Sequence, residues 1–477
     1  MARINTNVSS LIAQNSLTKN TAALQTSLQR LSTGLKINTG ADDPAGLIAS
    51  EGLKAEQTGI TQAIDNANRA NNLVGTAEGG LNEVSNLLNQ LDGLVNQSAN
   101  SGGLSSDEVA ANQLQVDSIL NTINRIAGAT SFQGKQLLNG NFDYTTSSVA
   151  ASAFATLQVN AANLPGNTTE AVVVQVTNSA TEGRVNFAAN TAAGRGYIAG
   201  SAITIEVSGN KGTQQLSFAG SSTISSVATA INNITSVTGV TASASGGSLV
   251  LKANDYGSKD YVSVKTVSGT FAVTGGTSGK AFGKDAAVIV NGAAAQADGL
   301  NVSYRNSSLD VSLKLSTGLN AGHTKTFGIT GGGAVFSLGS KVTESDKVAI
   351  GIQAVSTGNL GDSVTGFLSS LQSGGANNLS SASLTGAQSI LSNAISQVAS
   401  LRGRLGAFQK YTLGSTINNL SVAYENVSAS ESAIADTDFA KETANLTRAQ
   451  VLQQASTTVL SQANATPQIA LTLLRGG

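Results

Sequence analysis

The sequence predicts an α+β protein of several domains: a mainly α-helical coiled-coil rod formed by both chain ends, with inserted, mostly β outer domains. Two observations predict this plan. Long stretches near each end place apolar residues three and four positions apart, the period that keeps one helix stripe against a partner helix. The middle of the 477-residue chain holds short β-branched runs bounded by glycine and asparagine. Because the two helical stretches lie hundreds of residues apart, we expect them to pack on each other.

The composition favours a structural protein over a globular enzyme. Only 12% of the residues are charged and 4% are aromatic, and the chain has no Trp and no Cys. An enzyme core of this size normally holds more aromatic residues. The net charge of −1 argues against a nucleic-acid partner, which would need a basic face. We expect no membrane insertion, because no apolar run approaches the roughly 20 residues that span a bilayer.

The N-terminal part is predicted to be an extended tip followed by helices, without a Sec-type signal peptide. The first helix should end near Gly34, because the turn-rich residues 38–44 follow it. A long second helix should span about residues 45–98. It should end there because the adjacent glycines at positions 102 and 103 favour a turn. Ser105 and Glu108 have the spacing of a capping box, which predicts the start of a third helix.

Apolar stripes define the expected core of the rod. In the second helix the stripe runs through Ile60, Ile64, Ala67, Asn71 and Val74, and it resumes at Ala77 with one skipped step. We expect this stripe to pack inside the chain against its counterpart near the C-terminus. The residues that should form this core are Ile60, Ile64, Leu81, Leu88, Leu91, Val116, Ile123, Leu391, Val398, Leu401 and Leu405.

The middle of the chain is predicted to be rich in strands. Residues 172–176, 203–207 and 288–290 are β-branched runs, and residues 224–234 should form a short helix between strands. We assign residues 141–333 to one or two mostly β domains.

The C-terminal part returns to helices. Residues 334–352 read as a hairpin, and residues 385–388 form a second candidate capping box that should open a helix ending near Val427. A last helix is predicted over residues 439–465, with Pro467 limiting its end.

Three stretches of the sequence carry a resemblance to a known family. Residues 29–46 closely resemble the N-terminal signature of the bacterial flagellins: Gln-Arg-Leu-Ser-Thr-Gly-Leu-Lys-Ile-Asn-Thr-Gly-Ala-Asp-Asp-Pro-Ala-Gly. Residues 434–442 and 446–455 resemble the C-terminal signature of that family. The resemblance is highly specific, because it covers about residues 2–140 and 385–475 with both ends in the right order. In the middle, residues 203–265 look like a flagellin outer-domain insert, and the 334–352 hairpin resembles the one that closes the flagellin rod domain.

The resemblance implies a structural subunit that polymerises into the bacterial flagellar filament for swimming motility. Flagellins leave the cell unfolded through a type III export channel, so the implied location is the secreted, extracellular filament. The implied partners are further copies of the chain, an export chaperone, the type III export apparatus, and the cap and hook-junction proteins. No cofactor is implied.

The resemblance also implies a division of the chain. The expected parts are an N-terminal inner-tube helix segment (1–44), the N-terminal rod helices (45–140), the inserted β-rich outer domains (141–333), the rod hairpin and C-terminal rod helix (334–434), and a C-terminal inner-tube helix (435–477).

The terminal segments are expected to be disordered in monomers and to fold on polymerisation into an inner coiled-coil tube. Neither terminal helix can bury its apolar stripe alone, and covering each leucine stabilises by roughly 1.5–3 kcal/mol. The residues expected to pack in the filament core are Leu24, Leu28, Leu31, Leu35, Leu446, Ala449, Leu452, Val459 and Ala463.

Catalysis finds little support in the sequence. His323 is the only histidine, which excludes a two-histidine zinc site, and we expect it at the surface. Residues 275–280 are similar to a phosphate-binding loop, but the spacing is one residue short and Ala281 replaces the Mg²⁺-binding hydroxyl; we predict a hairpin turn. Asp42 and Asp43 should serve a turn and a helix start rather than a metal ion.

An innate-immune epitope of the family is degenerate here. The Toll-like receptor for flagellin contacts an arginine and a leucine on the long rod helix. Alignment through residues 97–100 puts Leu94 at the leucine position, Gln90 at the arginine position and Gln115 at an acidic position. Loss of both charges predicts weak or absent activation of that receptor.

Three alternatives remain at this point. A hook–filament junction protein has similar ends but should not polymerise alone. An adhesin would bind host glycan or mucin through residues 141–333, although no aromatic cluster is evident there. An enzyme is the least favoured class.

Overall fold

The computed structural model describes residues 6–100, 102–164, 169–188, 202–245, 248–269, 271, 273–274, 276, 279–306, 308–319, 321–381 and 384–475, with only the backbone for 273–274 and 467–475. The chain divides into two compact units. The terminal unit comprises residues 1–69, 337–346 and 412–477, and the central unit comprises residues 70–336 and 347–411.

Helices occupy both ends of the chain, as predicted. The α-helices are α1 (Val8–Thr33), α2 (Pro44–Ser98), α3 (Ser106–Ala129), α4 (Ile224–Asn233), α5 (Thr235–Thr238), α6 (Thr385–Ala407), α7 (Gly414–Ala435) and α8 (Phe439–Arg475). A π-helix, Phe408–Leu413, joins α6 to α7, and short 3-10 helices span Glu344–Asp346 and Leu368–Leu371.

Three predictions about helix ends are wrong. Pro467 does not end α8, which continues to Arg475. Thr385 is not the N-cap of α6; Leu384 holds that position, and no side chain there makes a capping hydrogen bond. The helix that was expected to end near Val427 continues through the π-helix and α7 to Ala435. In contrast, the capping box of α3 is present, with the Glu108 carboxylate accepting from the Ser105 N–H at 2.8 Å.

The stripe of α2 has no skipped step, contrary to prediction. Its buried residues keep an unbroken alternation of three and four positions, because the stripe passes through Ala63 and Ala70 instead of Ile64 and Asn71. Ile64 is half-buried and Asn71 is exposed. The buried residues that form this alternation are Ile60, Ala63, Ala67, Ala70, Val74, Ala77, Leu81, Val84, Leu88, Leu91 and Val95.

Within the central unit, α2 and α6 run antiparallel and are tied by polar contacts along their flanks. The Arg402 Nε donates to Glu78 Oε1 at 2.8 Å. The Gln388 Nε2 donates to Asp92 Oδ1 at 2.8 Å. These contacts join segments about 300 residues apart, as the separated heptad stretches predicted.

Strands fill the middle of the chain. They are β1 (Ser131–Phe132), β2 (Lys135–Gln136), β3 (Tyr144–Ser147), β4 (Phe154–Ala162), β5 (Glu170–Asn178), β6 (Arg184–Ala188), β7 (Ile203–Gly209), β8 (Thr213–Phe218), β9 (Val240–Ser245), β10 (Ser248–Ala253), β11 (Tyr261–Ser268), β12 (Val273–Thr274), β13 (Lys280–Phe282), β14 (Ala287–Val290), β15 (Ala293–Ala294), β16 (Gln296–Asp298), β17 (Asn301–Arg305), β18 (Leu309–Leu315), β19 (Thr324–Gly332), β20 (Ala334–Ser337), β21 (Lys347–Ile350), β22 (Gly361–Asp362) and β23 (Gly366–Phe367). The predicted 334–352 hairpin is present as the pair β20–β21.

The inserted strands form two lobes, one nested in the other. The first lobe packs the sheet β15-β14-β5-β19-β3 on the sheet β16-β17-β18-β4 around a core that includes Phe154, Val174, Leu313 and Phe327. The second lobe packs β12-β6-β10-β9, β13-β11-β7-β8 and α4 around a core that includes Ile205 and Leu251. Thr181 and Lys284 pair where the chain passes between the lobes, with both N–H···O distances at 2.9 Å.

The hairpin turn predicted at residues 275–280 lies in large part outside the described residues, which omit positions 275, 277 and 278. The strand before them, β12, pairs with β6, and the strand after them, β13, pairs with β11 in the other sheet. The described strands on either side, β12 and β13, thus belong to different sheets.

A buried polar network joins α6 to the first lobe. The Asn160 Nδ2 donates to Asp310 Oδ1 at 2.9 Å and to Ser312 Oγ at 3.1 Å, and Asn160 Oδ1 accepts from Arg404 Nη1. Burial lowers the pKa of the Arg404 guanidinium, an effect that Asp310 and Asp143 oppose. Burial also raises the pKa of Asp143, against a hydrogen bond from the Tyr144 N–H.

Candidate functional site: the terminal helix pair

Local sequence fixes both ends of α1. The Asn7 Oδ1 accepts from the Ser10 N–H at 3.0 Å and so caps the first turn. Gly34 follows the last turn with φ 73°, a left-handed conformation that glycine adopts without the strain other residues incur. Its N–H donates to the Arg30 carbonyl at 2.9 Å, so the helix ends where the sequence predicted.

In the terminal unit, α1 and α8 lie antiparallel and share polar contacts along their length. The Asn7 Nδ2 donates to the Ala463 carbonyl at 2.8 Å, near one end of the pair. In the middle, the Asn20 Nδ2 donates to Ser456 Oγ at 2.7 Å. At the other end, the Ser27 hydroxyl donates to Glu442 Oε1 at 2.6 Å. The pair closes at a backbone bridge between Leu35 and Asp436.

Small and polar residues at seven-residue intervals form the contact between these helices. On α8 they are Glu442, Ala449, Ser456 and Ala463, and on α1 they are Ala13, Asn20 and Ser27. Ala13, Ser27, Glu442, Ala449 and Ala463 are buried. The sequence analysis had assigned Ala449 and Ala463 to packing in the filament core. It missed Ala13, Ser27 and Glu442, because only apolar stripes were considered; the heptad spacing of these residues was an available signal.

Glu442 is a buried carboxylate that the partner helix satisfies. Its Oε1 accepts from Ser27, and its Oε2 lies 3.9 Å from Arg30 Nη1. Asn445 on the next turn donates to the same Oε2 at 3.2 Å. Because a buried charge is tolerated only with partners, this arrangement favours the register of α1 against α8 in which Ser27 and Arg30 face Glu442.

The pairing leaves a large apolar surface uncovered. Among the predicted filament-core residues, Leu28, Leu452 and Val459 are 49%, 46% and 58% exposed. Leu24, Leu31, Leu35 and Leu446 are half-buried, whereas Ala449 and Ala463 are buried between the helices. Further exposed apolar residues of the pair are Val8, Leu11, Ile12, Phe439 and Val451.

The predicted rod-core residues lie inside the helical parts of the two units. Ile60 in the terminal unit, and Leu81, Leu88, Leu91, Val116, Ile123, Leu391, Val398, Leu401 and Leu405 in the central unit, are each at most 2% exposed. Ile64 is only half-buried. At the degenerate receptor positions, Gln90 and Gln115 are exposed and Leu94 is half-buried.

The residues weighed for catalysis have structural surroundings. His323 is exposed. Asp42 accepts from the N–H of Thr39 at 2.8 Å and from that of Asn38 at 3.2 Å, while Asp43 accepts from the Gly46 N–H at 2.9 Å, as expected for a turn and a helix start. Among the described residues, no cluster of three acidic or histidine side chains is arranged to hold a metal ion, and no helix is long and apolar enough to cross a membrane.

One aromatic cluster in the second lobe was missed. The rings of Tyr261 and Phe282 lie 5.7 Å apart on β11 and β13. Lys280 Nζ lies 4.0 Å from the centroid of the Tyr261 ring, so its ammonium group lies over one face of that ring. The cluster forms because β11 pairs with β13, which places Tyr261 opposite Phe282, 21 residues later, and no local sequence pattern predicts this pairing.

Comparison with known proteins decides the family. The family profile described as the bacterial flagellin N-terminal helical region matches residues 4–143, and that of the C-terminal helical region matches residues 389–474. The B-type flagellin of Pseudomonas aeruginosa is 31% identical, and flagellin D of Vibrio anguillarum is 32% identical, each over 99% of both chains. The chain belongs to the bacterial flagellin family. It is therefore a structural subunit of the flagellar filament, a homopolymer, and the junction-protein and adhesin alternatives are not favoured.

Two further comparisons concern parts of the fold. The profile described as the flagellin hook IN motif matches residues 202–255, in the second lobe. A solved structure of FliC from Burkholderia pseudomallei aligns with 72% of this chain and 99% of that chain, at 16% identity and a TM-score of 0.25. A likeness this low adds nothing to the assignment, which rests on the sequence relatives.

Proposed function

We propose that this flagellin polymerises by coupled folding and packing of its terminal helices, with α1 and α8 forming the filament's inner tube. One observation carries the proposal: the fully buried positions of the two helices are small or polar, and the large apolar side chains of Leu28, Leu452 and Val459 stay about half exposed. An isolated pair of this kind buries too little apolar surface to offset the ordering of two long helices. Neighbouring copies would cover the remaining surface.

The exposed apolar side chains retain enough unburied surface for a stabilising contact with another copy. Complete burial of a leucine or valine stabilises by roughly 1.5–3 kcal/mol. Leu28, Leu452 and Val459 are about half exposed, so each retains a substantial part of that free energy for a contact with another copy. The buried Glu442 would hold α1 and α8 in register while these contacts form.

The proposal also covers how the chain reaches the filament and its lack of catalytic activity. An unfolded terminal segment suits export through the type III apparatus with a chaperone, followed by assembly in an extracellular filament under the cap protein. We propose a purely structural role without catalysis. The domain division that the family resemblance implied, with an inner tube, rod and outer domains, belongs to the same proposal.

Seeded polymerisation of the purified chain tests the mechanism. We expect electron microscopy to show long filaments and circular dichroism to show increased helicity as they form. Deletion of residues 436–477 should abolish both signals, because α1 then has no partner. A chain that stays monomeric with seeds and ammonium sulfate would refute coupled folding, and so would assembly of the deletion variant at the normal rate.

A separate expectation concerns the receptor epitope. We propose that this flagellin activates the Toll-like receptor weakly, because neutral Gln90 and Gln115 stand where an arginine and an acidic residue would make charge-assisted contacts. Reporter cells exposed to purified monomer measure this. Gln90→Arg together with Gln115→Glu should raise the response, whereas strong activation by the unaltered chain at low concentration would contradict the proposal.

A further inference from the structure

The π-helix Phe408–Leu413 contains one residue more than its surroundings require. Upstream, the buried stripe passes through Leu401, Leu405 and Phe408 at the usual steps of four and three. The next buried residue is Leu413, five positions further on. In an α-helix this step would turn Leu413 away from the stripe, whereas the wider π turn keeps both residues on one face.

The stripe stays shifted by one residue after the π-helix. In α7 the half-buried positions Thr416, Leu420, Ala423 and Val427 follow steps of three and four counted from Leu413. The stripe of α2 has no corresponding interruption. Removal of one residue from the π-helix would thus leave the stripes on both sides in phase, so the buried stripe itself does not require the extra residue.

The extra residue produces a bulge that is exposed to solvent and held by contacts on its inner side. Tyr411 is 70% exposed, the highest value for an aromatic side chain among the described residues, and Lys410 Nζ lies 5.3 Å from its ring centroid. Beneath it, Phe408 packs on Phe336 with ring centroids 6.1 Å apart. Gln409 Nε2 donates to the Asn71 carbonyl of α2 at 3.2 Å.

We propose that Lys410 and Tyr411 form a contact between copies of this chain in the filament. This inference rests on the proposed function, since the filament supplies the second copy. A rigid aromatic residue beside a cation has the composition of an interface anchor. Within the described chain Lys410 makes no ion pair, and neither do the exposed carboxylates Glu56 and Glu83 of α2, which offer complementary charge on another copy.

Thiol protection tests the contact directly, because the chain has no cysteine of its own. In Tyr411→Cys the single thiol should react readily with a maleimide in the monomer and lose that reactivity in filaments. The matched control is Phe282→Cys, which replaces an exposed aromatic residue of the second lobe and should stay reactive in both states. Equal labelling of the Tyr411→Cys thiol in monomers and filaments would overturn the proposal.

Assembly thresholds give an independent measurement. Tyr411→Ala and a deletion of Tyr411 should each raise the critical concentration for seeded growth about tenfold, the effect of losing one interface anchor. The melting temperature of both monomers should match that of the parent chain or exceed it, because the deletion restores a regular α-helix. Unchanged thresholds, or a lowered melting temperature, would each contradict the proposal. If the parent chain itself fails to polymerise, the proposed function fails as well, which separates the two results.

Discussion

Asn160 satisfies three partners at once at the base of the first lobe. Its amide group binds Asp310, Ser312 and Arg404, and it is only 6% exposed. We expect Asn160→Ala to destabilise the central unit by about 2–3 kcal/mol, because two charged groups lose a buried partner. Urea unfolding followed by tyrosine fluorescence measures this. Ser363→Ala serves as control, since that exposed hydroxyl binds only one backbone carbonyl; equal effects would contradict the interpretation.

Ser27 plays a similar part in the terminal helix pair. Ser27→Ala leaves Glu442 Oε1 without its hydroxyl donor, which should weaken the pairing of α1 and α8 by about 1–3 kcal/mol. The readout is the temperature at which filaments depolymerise, and it should fall.

Thr18→Ala is the matched control for Ser27. Thr18 lies on the same helix, is exposed, and donates only to the Gln14 carbonyl of its own helix. An equal loss of filament stability in the two variants would show that helix propensity, and not the buried carboxylate, determines the result.

The residue scale is where prediction from sequence was weakest. Apolar type and spacing identified Leu81, Leu88 and Leu401 as core residues, since only a buried stripe explains such a period. The same reasoning missed Ser27 and Glu442, because it followed apolar residues only. Their heptad spacing could have marked them as contact positions, but their pairing with each other joins two segments 415 residues apart in sequence.

At the scale of single elements, the capping box of α3 gives a prediction about pH. Hydrogen bonds from the Ser105 backbone and hydroxyl lower the pKa of Glu108. A carboxyl group with a lowered pKa in the folded state contributes stability above its unfolded pKa and loses it as the pH falls through the folded value. The melting temperature of the parent chain should therefore decline more steeply below about pH 5 than that of Glu108→Gln.

Glu108→Gln is informative because glutamine can form the same box without titrating. Melting temperatures measured by circular dichroism between about pH 6 and about pH 3 give both curves. Parallel curves would show that the capping carboxylate does not contribute to the acid sensitivity.

Helices and their ends could be predicted from sequence where residues close together in the chain determine them. The α3 cap, the end of α1 at Gly34 and the short helix α4 follow from residue types at fixed spacing. The end of α8 could not be predicted in this way, because a helix can continue through a proline when the turns on either side of it stay helical. The phase of the α2 stripe was misread between residues 60 and 71, where alanines pack in the core and a larger Ile64 does not.

At the scale of the whole molecule, the first and last residues of the inserted β region are adjacent. The Gly333 N–H lies 3.4 Å from the Asp143 carbonyl oxygen, and β3 pairs with β19. A chain lacking residues 144–332, with two glycines joining the ends, should therefore still form filaments, because the contacts of α2 with α6 and of α1 with α8 remain. Electron microscopy after seeding provides the measurement.

The excised chain should melt at a lower temperature than the parent, since Arg404 loses Asn160 and Asp310. Failure to assemble, with helicity retained, would show that the β lobes take part in polymer contacts. The overall plan of helical ends around a strand-rich insertion was predictable from changes in period, but the nesting of one lobe in the other depends on pairings such as Thr181 with Lys284 that no local pattern encodes.

The antiparallel pairing of α2 with α6 also governs when this chain can fold. Glu78 meets Arg402, 324 residues later, so a ribosome must complete most of the protein before that partner exists. At a synthesis rate of ~5–20 residues per second, the apolar stripe of α2 remains without its α6 partner for about 15–60 s. The strands of both β lobes are synthesised within that interval, because the last of them ends at Gly332. The pairing of α2 with α6 therefore cannot form until synthesis is nearly complete, and α1 and α2 stay without their helical partners for most of that time.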